Sequence, residues 1–356
     1  MAATGAEARS AEFGRTAMAD FSRRALIGGG LALAAAMPFA RLGSAQDPKF
    51  FRIATGPTET DYFAAGTLIG TVVSSPPGSR ECDRGGSCGV PGLIAVTQTT
   101  AGSLANIALL MRRQVDSGFV QADIAYLASV AAGPFARQPA ASDLRAIACL
   151  FPESVQVVVS RASAIGEFRQ LRGKTVSLGE RDSATLVTAR AVLQAAGVAE
   201  RDVKVQFLKL AEAAEAMRAG RLDAFFEVAA PPSPTIADLA QESDIDLLAI
   251  PLAVAERLRR SMPYYASTTI AAGRYRGVAE TQSLGLATLW VVGSETDDKT
   301  VYELTRALWH PSNRRALDQG NPLGRLIRPD TALDGMSIFI HAGAAQYYRE
   351  TGLLKD

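Results

Sequence analysis

The chain has 356 residues, 37 basic and 36 acidic side chains, and 48% hydrophobic residues. A formal net charge of +1 excludes a protein held to nucleic acid or an anionic membrane by bulk charge. The length leaves room for two domains, each with its own core.

The first 45 residues read as a leader. "FSRRALIGGGLALAAAMPFARLGSAQD" places Arg23-Arg24 before an apolar run of 16 residues, with small residues at Gly43 and Ala45. These are the charged region, hydrophobic region and cleavage site of an export signal, too short and too rich in glycine and alanine to span a bilayer. The long lead before the arginine pair, the weak hydrophobicity and Arg41 point to twin-arginine export. An ordinary secretory signal that happens to carry two arginines is the alternative. With no cysteine at the cleavage site, a lipid anchor is not expected. Removing residues 1–45 takes away five arginines and three acids, leaving 32 basic and 33 acidic residues. No later apolar stretch approaches a membrane span, so the expected location is the periplasm, as a soluble protein.

Beyond Gln46, short apolar runs alternate with amphipathic ones. Strands are expected over 50–55, 92–99, 144–150, 155–160, 174–179, 203–208, 222–228, 245–250, 268–272 and 284–294. Helical patterns fall at 103–114, 122–131, 183–196, 210–219, 235–242, 299–309 and 342–350. Such alternation predicts α/β layers with largely parallel sheets, whose ligands bind at strand carboxyl ends against helix N-termini. An internal echo joins "LLMRRQVDSGFVQA" at 109–122 to "EAMRAGRLDAFFEVA" at 215–229: helix end, aspartate, short apolar strand.

Cys82 and Cys88 lie in "PPGSRECDRGGSCGVPG", which has too little apolar content to hold a loop, so a disulfide is expected. Zinc would need closer spacing and further ligands. Cys149, in "LRAIACLF", reads as a buried small hydrophobe. "GGSCG" at 85–89 fits the nucleophile-elbow pattern, but no strand precedes Ser87 and no helix follows it. Beyond the leader only His310 and His341 could serve as a base, beside Pro311 and at the start of the C-terminal helix. No catalytic residue, cofactor or metal is expected.

In order, "ATGPTETDYFAAG", "TTAGSLANIALLMRRQVDSGFVQADIAY", "LRAIACLFPESVQVVV", "LRGKTVSLGERDSATLVTARAVLQAAG", "AEAMRAGRLDAFFEVAAPP", "MPYYASTTIAAGRY" and "IHAGAAQYYRETGL" resemble the TAXI solute receptors. Those are binding subunits of one branch of the tripartite ATP-independent (TRAP) transporters, and the resemblance runs from about residue 50 to 353. It implies a type II periplasmic-binding-protein fold, α/β and two-lobed, with a ligand cleft between the lobes. The lobes would divide as 46–150, 151–261 and 262–356, the last segment returning to the first lobe.

The resemblance further implies that helix starts at Ser103 and near Gln121 point into the cleft, faced from the second lobe by Ser183 and Thr185. Each exposed helix end favours an anion by about 0.3–1 kcal/mol, and by up to ~2 kcal/mol when partly buried. Thr55, Gly56 and Tyr62 of the glycine-rich first loop join the expected ligand-binding set. Glu153, in "LFPES", would pair with a ligand ammonium or fasten the hinge. The chain departs from the family pattern in carrying Glu59, Asp61, Asp182 and Glu227, acids that would repel a dicarboxylate and welcome a cation. The implied function is capture of a small carboxylate-bearing ligand, amino-acid-like or an organic acid, for a TRAP-type permease. An exported enzyme on the same scaffold, or the binding subunit of a sensor, is the alternative.

Overall fold

A computed structural model describes residues 47–355, so the leader and its arginine pair lie outside the described residues. The first elements are β1 (Lys49–Ala54), α1 (Asp61–Val73), β2 (Ser74–Ser75), β3 (Val90–Pro91), β4 (Leu93–Gln98), α2 (Ser103–Met111), β5 (Ser117–Gln121) and α3 (Ala122–Ser129). Next come β6 (Leu144–Ser160), β7 (Thr175–Ser177), α4 (Ala184–Ala195), β8 (Lys204–Gln206), α5 (Leu210–Arg218), β9 (Ala224–Ala229) and α6 (Pro234–Glu242). The last are β10 (Ile245–Leu247), α7 (Leu252–Ser261), β11 (Ala266–Ile270), β12 (Thr281–Gly293), α8 (Asp298–Leu308), α9 (Pro311–Gly320) and α10 (Ala342–Glu350).

Ten strands form one mixed sheet in the order β4-β1-β5-β12-β6-β9-β7-β8, with β10 added to β6 and β11 to β12. The order is built from two copies of one unit. In the first, β1 lies between β4 and β5 and is parallel to both. In the second, β7 lies between β8 and β9 and is parallel to both. Each unit runs strand, helix, strand, helix, strand, and a helix follows its last strand. Two long strands, β12 and β6, join the units, antiparallel to each other and to their outer neighbours β5 and β9. Two α/β lobes connected by two crossing strands make this the type II periplasmic-binding-protein fold.

The apolar runs at 144–150 and 155–160 are halves of the single strand β6. Pro152 between them reads as a break, but it sits opposite Ala287 at a point where β9 has not begun to pair; that ladder starts at Ser154. A missing N–H is tolerated where no second neighbour needs it. Helix α1 is absent from the sequence reading because "DYFAAGTLIGTVV" carries two glycines and several β-branched residues, all poor helix formers. Its Gly66 is there for contact: a Cβ would lie 2.5 Å from Thr55 Cγ2 and 3.0 Å from Thr97 Cγ2, so glycine lets the helix lie close to the sheet at the ends of β1 and β4. The polar helices α7 and α9 were missed as well; α7 is recruited by the Val254, Ala255 and Leu258 stripe that it buries.

One core, with Phe51, Phe151, Trp290, Leu304 and Tyr348, lies beneath the first unit. Another, with Val158, Phe225, Ile236 and Tyr275, lies beneath the second. Side chains such as Leu304 and Phe225, fully buried, each contribute about 1.5–3 kcal/mol. Among the described residues, no helix is long and apolar enough to cross a membrane.

Candidate functional site

Because both units place helices after parallel strands, six helices begin at the carboxyl edges of the sheet. Their starts converge on one cavity of about 370 Å³. Thr60 and Asp61 come from α1, Gly102 and Ser103 from α2, and Gln121 from α3. The second unit answers with Ser183 and Thr185 at α4, Lys209 at α5 and Ser233 at α6. Each start supplies unpaired backbone N–H groups and the positive end of a helix dipole. The repeated unit noticed as an echo in the sequence therefore has a function-related geometry: β5 delivers Gln121 to the cavity, and β9 leads to Ser233.

Buried polar contacts hold these ends in place. Asn106, fully buried, donates from Nδ2 to the carbonyl oxygens of Thr55 (2.6 Å) and Phe119 (2.8 Å) and accepts from Thr100 Oγ1 at 2.6 Å. That ties the end of β1, the loop before α2 and strand β5 together. Ser103 Oγ accepts from the backbone N–H of Gln121 at 3.1 Å and lies 3.3 Å from Tyr62 Oη. In the facing lobe, Ser183 Oγ caps α4 by accepting from Leu186 N at 3.1 Å. Gly179, which also lines the cavity, has φ of +91°, and a Cβ on it would lie 2.9 Å from Thr185 Cγ2.

Acids occupy the other side. Glu153, at mid-strand in β6 and 3% exposed, accepts from Tyr62 Oη at 3.4 Å. Its burial, with the nearby carboxylates of Asp61, Asp123 and Glu227, holds it well above the usual carboxylate range. Glu227, on β9, is pushed up to about 8 by burial and by Asp61 and Glu180. Asp61 is raised by burial, against the pull of the Ala230 N–H that donates to its Oδ2 at 3.2 Å. That hydrogen bond runs from the start of α1 to the end of β9, across the cavity. At neutral pH Glu227 is therefore mostly protonated. Lys209 is the one cation lining the cavity among the described residues, and it is exposed.

The residues expected from sequence fall unevenly. Gly56, Tyr62, Ser103, Gln121, Glu153, Ser183, Thr185 and Glu227 all line the cavity. Thr55 does not: it is fully buried behind the loop, its Oγ1 donating to Gln98 O at 2.9 Å. The Tyr62 ring packs edge-on against Phe119 and Phe151, leaving its hydroxyl for the cavity. Of the four acids singled out, Glu59, Asp61 and Glu227 line the cavity, whereas Asp182 is exposed outside it. Asp182 has φ of +61°, a left-handed backbone that glycine adopts freely and aspartate tolerates. Glu180, Lys209 and Ser233 were missed because nothing local distinguishes them; the fold brings them in. Asp123, also missed, stands behind the start of α3 and accepts from Thr188 Oγ1 (2.9 Å), Tyr265 Oη (3.1 Å) and Ile124 N (2.8 Å).

Cys82 and Cys88 are bonded to each other in the loop between β2 and β3. With His310 they form the one cluster close enough to ligate an ion among the described residues, and the disulfide takes up both sulfurs. Ser87 donates to the Ser74 carbonyl. His310 and His341 cap α9 and α10 by accepting from Ser312 N and Gly343 N. Burial pushes the Cys149 thiol up to about 12, as for an inert packing group.

The fold and its cleft define a protein of the type II periplasmic-binding class. Within it, the chain belongs to the NMT1-like family, which matches residues 53–352. Among solved structures it is similar to PhnD1 from Prochlorococcus marinus in complex with methylphosphonate, at 11% identity and a TM-score of 0.50, covering 86% of this chain and 100% of that one. It is similar also to the alkanesulfonate-binding protein SsuA from Xanthomonas axonopodis pv. citri bound to MOPS (16% identity, TM-score 0.46, 87% and 96% covered). A third is the ligand-binding component of an ABC-type import system from Staphylococcus aureus with zinc bound (8% identity, TM-score 0.45, 86% and 93% covered). The family match corrects the assignment to TAXI receptors, and the TRAP-type permease expected as partner falls with it. The resemblance misled because glycine-rich loops before helix starts are what any cleft of this architecture requires.

Proposed function

We propose that the protein is an extracytoplasmic receptor that captures a small oxyanion-bearing solute, a carboxylate in the first instance, between its lobes and presents it to a membrane import system. The observation that carries this reading is the convergence of six helix N-termini on one cavity between the lobes. In this reading Ser103, Gln121, Ser183 and Thr185 surround the anionic group, Tyr62 offers its hydroxyl, and Gly56 lets the first loop approach the ligand. Thr55 supports that loop from behind. The fit of the fold class supports the same role.

We place the first crossing between the lobes on β6 near Glu153, where 150–151 is the expected division. We place the second on β12 near Gly285 rather than near residue 262. The reason is that β11 pairs with Thr281–Gly285, and Ile270 and Tyr275 pack with Val158 and Phe225. Small molecules released from the purified, denatured protein, identified by mass spectrometry, should raise its melting temperature when returned. Small-angle scattering should then give a smaller radius of gyration with that molecule than without. A protein that yields no bound solute and has the same scattering curve with every candidate would refute the receptor reading.

A further inference from the structure

We propose that the ligand is a zwitterion, its anionic group held by Gln121 and the starts of α2 and α3, and its cationic group held between Glu153 and Glu227. The proposal rests on the receptor reading and specifies the chemistry of that same cleft.

Two independent observations lead to it. Gln121 is 4% exposed and lines the cavity, and its side-chain Nε2 has no hydrogen-bond partner. Its backbone N–H donates to Ser103 Oγ, and Ser103 in turn meets Tyr62. A buried amide donor left over beside two helix starts calls for an acceptor oxygen. Across the cavity, the Glu227 carboxyl accepts no hydrogen bond among the described residues, while the Glu153 carboxyl meets the Tyr62 hydroxyl and lies beside that of Thr288. Glu59, Asp61, Glu153, Glu180, Lys209 and Glu212 are the charged side chains that line the cavity with Glu227, and exposed Lys209 makes no ion pair with it. A ligand with negative groups alone would bring them against these carboxyls. A cation alone would leave Gln121 Nε2 and the helix ends without acceptors. A molecule bearing both signs satisfies both sides.

The protonation of the empty cleft gives this arrangement a measurable consequence. Glu227, raised to about 8, holds a proton at neutral pH until an ammonium displaces it. Binding then converts the Glu227 carboxylic acid to carboxylate, the ligand keeps its ammonium proton, and one proton passes to the buffer. Affinity should accordingly rise with pH up to about 8.

The test uses α-amino acids and their matched α-hydroxy acids, which share carboxylate and side chain but exchange ammonium for hydroxyl. At pH 8, calorimetry should find an amino acid that binds at least about thirtyfold more tightly than its hydroxy partner, as expected for a desolvated charge pair. Its binding enthalpy should vary with the ionisation enthalpy of the buffer. Glu227→Gln should erase the preference, and Gln121→Met should weaken both partners alike. Melting of the Glu227→Gln variant at pH 5, where wild-type Glu227 is protonated, should match the wild type, which separates lost recognition from misfolding. The proposal is overturned by hydroxy acids binding as tightly as amino acids, by unchanged amino-acid affinity in Glu227→Gln, or by tight binding confined to anions without an amine. The last result, with cleft closure intact, would remove the zwitterion and leave the receptor reading standing.

Discussion

Behind the start of α3, Asp123 receives three hydrogen bonds; in the cavity in front of it, Glu227 receives none among the described residues. Asp123 is wholly taken out of water and Glu227 largely so, and burial raises both. The donors around Asp123 limit its rise to about 6, so it is charged at neutral pH, while Glu227 goes to about 8 and is not. The pair separates two uses of a buried acid. One completes its hydrogen bonds inside the fold, tying α3 to α4 through Thr188. The other is left incomplete, which costs stability and is tolerated where a ligand supplies what is missing.

The largest expected effect breaks the satisfied site. Asp123→Ala strands the Thr188 and Tyr265 hydroxyls in the core and should cost about 3–5 kcal/mol of unfolding free energy at neutral pH. Urea titration measures it, and a loss under about 1 kcal/mol would mean that Asp123 is no better satisfied than Glu227.

The unsatisfied site should act in the opposite direction. A carboxyl whose folded pKa is raised stabilises fully below its unfolded value, and that contribution disappears as pH rises through the folded value. From Glu227 at about 8, the ligand-free protein should lose stability between pH 5 and 9. Glu227→Gln should lose about 1–3 kcal/mol less over that range, since the group is partly exposed. Melting curves at the two ends test this; equal losses in variant and wild type would show that Glu227 is solvated.

A third change leaves both acids alone. Replacing Cys82 and Cys88 with serine opens a short loop and should lower stability by about 2 kcal/mol in the chain-entropy account. The ligand-induced shift in melting temperature should survive, because neither cysteine lines the cavity. The smallest effect belongs to Asp182→Gly, which gives a left-handed backbone position the residue that favours it. Stability should change by no more than about 1 kcal/mol and affinity not at all, setting the baseline for an acid outside the cleft.

Much of the architecture was legible along the chain because it depends on local pattern. The ten apolar runs expected as strands fall within a few residues of nine strands, two of them on β6, and small hydrogen-bonding residues marked the starts of α2, α3 and α4. The failures share a cause. Glycine-rich α1 lies so close to the sheet that a Cβ at Gly66 would meet Thr55 and Thr97, and Pro152 stays inside a strand because the ladder to β9 begins two residues later, at Ser154. Neither condition is local.

What the sequence by itself determined is the set of segments, the repeat of helix end, aspartate and strand, and several of the helix starts, since each follows from periodicity or from capping chemistry within a few residues. The tertiary structure alone decided which acids matter. Asp182 and Glu227 are the same kind of residue in a one-dimensional reading. A left-handed turn holds the first in water, while the ladder of β9 against β6 sets the second opposite Gln156 and beside Glu153. Charge state depends on what surrounds a group in space, and that is a property of contacts between residues far apart in the chain.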